Sequence, residues 1–298
     1  MNNPIYQREV MVRSRNFRIP LAVLAFNGLL AAVAMFNLCQ TVGRARQDAS
    51  IQYSSFLNLY VFVTTLEFLL LMCIMPAMTS ASISGERERR TLDLLFTTEL
   101  TASQIVAGKM AAALSQLFLL ILSSFPVIVL TFVYGSMDFQ SLGLLFACYL
   151  VTALLTGGIG IFSSAFMRRS TMSNVCTYGI LLALVVGTYL LNSFLLNQSQ
   201  TAINALRLAA GEMRPAADSG AAVYLLLLNP AMTFLKILES QVSGGAGQFT
   251  MNDFLGGRPE NFVTRNWIAV SLGIQLLLCA AFLWGAARLL GPRYRERE

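Results

Sequence analysis

Six long apolar runs, at 19–39, 56–78, 105–133, 142–166, 175–196 and 267–290, leave this chain few ways to fold. Each is about the length an α-helix needs to cross the ~30 Å hydrocarbon core of a bilayer. No water is present there to bond a bare N–H or C=O, so a spanning segment has to satisfy its backbone internally, as a helix does. Composition agrees: 56% of the 298 residues are hydrophobic and 12% are charged, with mean hydropathy +0.63. That is about half the charged share of an ordinary soluble domain. The chain therefore reads as an all-α polytopic membrane protein with six transmembrane helices in a single transmembrane domain, 1–298. An Ala-x-Ala at Ala32 and Ala34 falls inside the first run rather than after it, so an uncleaved first span is expected.

The basic residues orient the spans. Arg8, Arg13, Arg15 and Arg18, then Arg87, Arg89, Arg90 and Lys109, then Arg168 and Arg169, and finally Arg288, Arg293, Arg295 and Arg297 all fall on one side of the six-span plan. The short loops opposite hold only Arg44 and Arg46, and the region 197–266 is too long for the rule to apply. Both termini are expected in the cytoplasm of a bacterial plasma membrane. Residues 1–18 carry four arginines with Tyr6, Val10 and Phe17 able to share the opposite face, the pattern of an amphipathic helix lying on an anionic leaflet.

Several chemistries are excluded. There is no histidine, so no Ser-His or Cys-His pair and no His-ligated zinc is possible. Cys39, Cys73, Cys148, Cys176 and Cys279 lack metal-ligand spacing and read as packing residues, and no metal site is expected. A basic face interleaved with aromatics is missing, which argues against nucleic acid as a partner. No P-loop motif occurs, so this chain has no nucleotide site of its own and no cofactor is expected on it. An intramembrane enzyme would need convergent polar groups from several spans, and the spans offer one isolated acid, Glu67. A charge at that depth costs at least ~2.5–3.5 kcal/mol, so Glu67 is expected to bond across helices as a neutral carboxyl or to face a water-filled pathway. Asn27, Gln116 and Gln275 read as interhelical glue, and Gly157, Gly160 and Ser164 as a seam of close helix packing.

Two segments do not fit a plain bundle. In 84–109, Glu86, Arg87, Glu88, Arg89 and Arg90 give five consecutive charges, after which Thr91 leads into Leu92, Leu95 and Phe96 at the spacing of one helix face. Such a helix lies at the surface, solvated, or docks on something. Thr101 and Gln104 then form a capping box that opens the third run. In 224–237 an apolar stretch too short to span is broken at Asn229 and Pro230, which fits a re-entrant hairpin or a helix flat on the outer leaflet.

The order of a charged cluster, Thr91-Leu92-Asp93-Leu94-Leu95, Thr97-Thr98, then Ile105-Val106-x-Gly108-Lys109 entering a span resembles the coupling region of type-2 ABC exporter permeases. The resemblance implies that 84–100 is a cytoplasmic coupling helix between spans two and three, docking on a separate ABC ATPase that holds ATP and Mg. Glu86, Arg87, Glu88, Arg89 and Thr91 would set its register, with Leu92, Leu95 and Phe96 as the plug. A small residue is expected before Thr91, where this chain has Arg90. The opening residues are similar to the family's N-terminal connecting helix, and the resemblance favours the outer re-entrant hairpin between spans five and six. It further implies a second permease chain, in a homodimer or a similar heterodimer, and export of an amphiphilic substrate such as a drug, lipid-linked species or peptide. The other reading is a non-transporting accessory membrane subunit or scaffold of an export or assembly system.

Overall fold

The computed structural model describes residues 4–14, 18–48, 53–92, 101–134, 139–210, 219–242 and 261–291. Among the described residues the chain is helical, with no strand. The order is α1 (Pro4–Ser14), α2 (Arg18–Asp48), α3 (Tyr53–Thr79), the short α4 (Ser84–Glu88), α5 (Ala102–Tyr134) and α6 (Phe139–Phe166). Then come α7 (Ser170–Leu182), a π-helical turn (Ala183–Gly187), α8 (Thr188–Ala210), a 3-10 helix (Gly220–Leu228), α9 (Pro230–Val242), α10 (Phe262–Arg265) and α11 (Trp267–Leu290).

Five helical stretches are long and apolar enough to cross a membrane: Tyr60–Glu88, Ala102–Phe125, Gln140–Phe166, Ser170–Asn204 and Trp267–Leu290. The pair Gly220–Leu228 and Pro230–Gln241, bent by 92°, makes a sixth if it counts as one span. The first expected span, 19–39, lies within α2, whose described side chains supply the shorter apolar stretch Leu24–Phe36. The fifth expected span, 175–196, starts earlier, at Ser170, and its helix continues as far as Ala210. Residues 197–204 contain no Gly or Pro to stop it, so the helix outruns the apolar sequence and takes in the beginning of the 197–266 region.

α6 is the hub. Of its apolar window 72% is buried inside the chain, against 11% for Ser170–Asn204. α3, α5, α7 and α11 all pack on it. Its glycines make this possible by facing three neighbours: Gly157 meets Met75 of α3 and Met110 of α5, Gly160 meets the end of α3 at Thr79, and Gly158 meets Cys279 of α11. Removing the Cβ at such points lets helix backbones approach, which is how helices gain contact in a solvent as apolar as their own surfaces. Polar side chains also fasten helices to one another. Asn27 of α2 donates to Ser123 Oγ of α5 at 2.7 Å, and Gln275 of α11 donates to Thr233 Oγ1 of α9 at 2.8 Å.

Candidate functional site: a charged turn riveted to three helices

The segment 84–92 follows the second span with only a turn between. The sequence suggests one amphipathic helix over 84–100, whereas α4 stops at Glu88. The stop is a Schellman motif: Arg90 N–H donates to Arg87 O at 3.1 Å and Thr91 N–H to Glu86 O at 3.0 Å, with Arg90 in the left-handed region at φ 56°. Glycine is the usual residue there, so the small residue expected before Thr91 is one this geometry would favour. The Thr91 hydroxyl also donates to Glu86 O, at 3.2 Å. Residues 93–100, including Leu95 and Phe96, lie outside the described residues. Leu92 does not act as a free plug. It is 2% exposed and belongs to the same apolar cluster as Ile83, Val106 and Met110 of this chain.

Three of the charges expected to set register on a partner, Glu86, Arg87 and Glu88, are engaged within the chain. Arg87 donates to Met167 O at 3.0 Å and to Ala165 O at 3.3 Å, the carbonyls left open where α6 ends. Glu88 accepts from the Ser170 N–H at 3.0 Å and the Ser170 hydroxyl at 2.7 Å, at the first turn of α7. Adjacent opposite charges thus meet adjacent opposite helix ends, each sign matched to the helix dipole it faces. These Ser170 bonds, with help from Arg169 and Arg89, hold the Glu88 carboxyl below its ordinary value; the group is exposed and lies past the end of α3 at Thr79. Glu86 pairs with Lys109 at 3.0 Å. Arg89 and Arg90 are exposed.

Beneath this layer the turn is fixed through its backbone. Ser164 Oγ of α6 accepts from both Ile83 N–H and Ser84 N–H at 2.9 Å each, taking up two donors next to the start of α4. One turn earlier on the same face, Gly160 lies against Thr79 and Ser80. Ser173 of α7 donates to Ser80 O at 2.5 Å, Ser80 is hydrogen-bonded to Asn174, and Tyr178 donates to Cys73 O at 2.8 Å. The expected seam at Gly157, Gly160 and Ser164 is therefore the seat of the charged turn as well as a packing device. The predicted capping box is present: Gln104 N–H meets Thr101 Oγ1 at 3.4 Å and Thr101 N–H meets Gln104 Oε1 at 3.0 Å.

Glu67 is fully buried in α3, and its Oε1 accepts from the Ser124 hydroxyl of α5. It does bond across helices. Nearby, Tyr149 of α6 donates to Thr64 O at 2.9 Å, and Phe68 stacks on Phe234 of α9 at 4.2 Å. Tyr60 donates to Gln241 Oε1 at 2.8 Å and Gln241 donates to Ser141 O at 2.7 Å, so α3, α9 and α6 are tied together there.

At the Asn229-Pro230 break the structure has two short helices of different kinds. Asn229 Oδ1 caps α9 by accepting from Ala231 N–H at 2.9 Å. Its Nδ2 donates to Val185 O at 2.8 Å and Thr188 Oγ1 at 3.0 Å, at the π-helical turn. A π turn displaces carbonyls from the regular ladder, and here one of them serves the break. The charge pattern gave no hint of this partnership. Nor did it reveal that Lys109 is buried, although its position one turn inside an apolar run was a signal.

These features define a polytopic α-helical membrane protein whose charged turn after the second span is held by other helices of the same chain. The sequence model of the family described as ABC-2 family transporter protein matches residues 8–290, and the chain belongs to that family as a membrane component of ABC transporters rather than their ATPase. No curated protein matches the chain.

Proposed function

We propose that this chain is the permease of an ATP-driven exporter, coupling ATP hydrolysis on a separate cytoplasmic ABC ATPase to movement of an amphiphilic substrate. The observation that carries it is the mounting of 84–92, with Arg87 on the end of α6, Glu88 on the start of α7 and Ser164 on the backbone at Ile83 and Ser84. A loop that only linked two spans would not need opposite charges matched to two helix ends. A handle that has to move those helices does. Arg89, Arg90 and the segment 93–100, with Leu95 and Phe96, would meet the ATPase, which holds ATP and Mg. One chain supplies one handle, so the working assembly is two permeases with two ATPases, both termini on the cytoplasmic side of the plasma membrane.

The test is ATPase stimulation in nanodiscs by this chain, co-expressed with the ABC ATPase encoded nearest to it. Leu95→Asp is expected to leave the permease folded in the membrane and to abolish stimulation. Leu92→Asp places a charge in the chain's own core and is expected to lower the amount of folded protein instead. Full stimulation by the Leu95→Asp chain refutes docking through this segment, and a non-transporting scaffold would leave the ATPase unstimulated by the wild-type chain too.

A further inference from the structure

Lys109 sits in the second turn of α5 with its side chain 2% exposed. An ammonium so placed has three protons to satisfy and a charge to offset. Its Nζ meets Glu9 Oε1 of α1 at 3.2 Å, Glu86 Oε1 of α4 at 3.0 Å and Ser82 O, in the turn before α4, at 2.9 Å. The three acceptors come from two chain segments separated by more than seventy residues, and α5 contributes the cation that joins them. Glu9 is also the one acid among residues 1–18, where four arginines would otherwise favour a position on an anionic leaflet.

We propose that Lys109 is a positioning residue that yokes the N-terminal helix α1 to the charged turn, so that displacement of 84–92 carries α1 and the start of α5 with it. Its part in coupling rests on the function proposed above, but the yoke itself is a property of this chain. Without the ammonium, two carboxylates that share one partner are left facing each other. The turn and α1 then separate, although α1 still packs on α5.

Amide hydrogen exchange on the full chain in nanodiscs, read in 4–14 and 84–92, tests this without any ATPase. Lys109→Met is expected to speed exchange at least tenfold in both segments, and Lys109→Arg, which keeps the charge, to restore most of the protection. The decisive variant is Glu9→Gln. It lies on α1, yet it is expected to speed exchange in 84–92, and to have no further effect there once Lys109→Met is present. If Glu9→Gln loosens α1 alone, or if its effect on 84–92 simply adds to that of Lys109→Met, the yoke is refuted. Because the measurement involves only this chain, absence of ATPase stimulation would count against the proposed function and leave the yoke to be judged on exchange.

Discussion

Adding one methyl group at Gly160 should separate α3 from α6 at the base of the charged turn. A Cβ there would stand 2.0 Å from Thr79 Oγ1, 2.9 Å from Thr79 Cβ and 3.2 Å from Ser80 N. Rotating Thr79 would move the oxygen and break its bond to Met75 O, now 2.9 Å, but it would not move Thr79 Cβ or the Ser80 backbone. The helices themselves have to part. Overpacking of this kind costs ~1–3 kcal/mol. Loss of the Thr79 bond adds ~1 kcal/mol, and the better helix propensity of alanine returns ~1 kcal/mol. Gly160→Ala should therefore destabilise by about 1–3 kcal/mol on balance.

Two glycines of the same structure serve as controls. A Cβ on Gly157 would meet Met75 Cε at 2.6 Å and Met110 Cε at 3.0 Å, both ends of flexible side chains that swing aside, so Gly157→Ala should fall near neutral. Gly143 of α6 has nothing within 4 Å of a Cβ, and alanine there should stabilise by up to ~1 kcal/mol. Thermal unfolding of the purified chain, followed by fluorescence of its two tryptophans, ranks the three. The order Gly143→Ala above Gly157→Ala above Gly160→Ala is expected. If Gly160→Ala unfolds at the same temperature as Gly143→Ala, the close approach described for α3 and α6 is wrong.

Arg90→Gly relieves a non-glycine residue at φ 56° and should stabilise the turn by up to ~1 kcal/mol, whereas Arg90→Val should destabilise it; a lower unfolding temperature for the glycine variant would refute the Schellman stop. Because the Glu88 carboxyl is held low by Ser170, its contribution is complete above the ordinary carboxyl range and is lost as pH falls through its lowered value. Ser170→Ala removes the hydroxyl bond and should move the Glu88 midpoint back upward in a carboxylate NMR titration, and an unmoved midpoint would assign the shift elsewhere. Glu67→Gln keeps an acceptor for the Ser124 hydroxyl but puts an amide N–H2 where Oε2 is buried without a partner, so the chain should still fold with a thermal midpoint somewhat lowered. Unaltered transport and pH dependence in that variant would leave Glu67 purely interhelical.

Most of the helical plan was legible because hydrocarbon imposes it: a run of twenty apolar residues has one backbone solution there. The Gly157, Gly160 and Ser164 seam was legible for a related reason, since small residues at helical spacing in a span mark where backbones meet. Which neighbour they meet was not, because spacing along α6 says nothing about α3 or the turn that follows it. The break in 84–100 was hidden by Arg90 itself, for the signal of a helix stop is glycine and the chain has arginine at the left-handed position. The π turn at Ala183–Gly187 was hidden more completely. Nothing in that run demands it, and its partner Asn229 lies some forty residues away in sequence.

The partners of the charge cluster within the chain were the part least legible in the sequence, for a physical reason. Five consecutive charges beside a membrane look like a solvated or docking surface because nothing local can use them. Two helix ends and a buried lysine can, and all three arrive only when α5, α6 and α7 assemble around the turn. The assembly leaves Arg89 and Arg90 facing outward from a base that cannot shift without disturbing α6 and α7. Under the proposed coupling, a push on this segment acts on stiff helix ends and does little to bend a soft loop. That stiffness is what transmission requires, because an interface moves packed helices only when the handle is less compliant than the contacts it has to break.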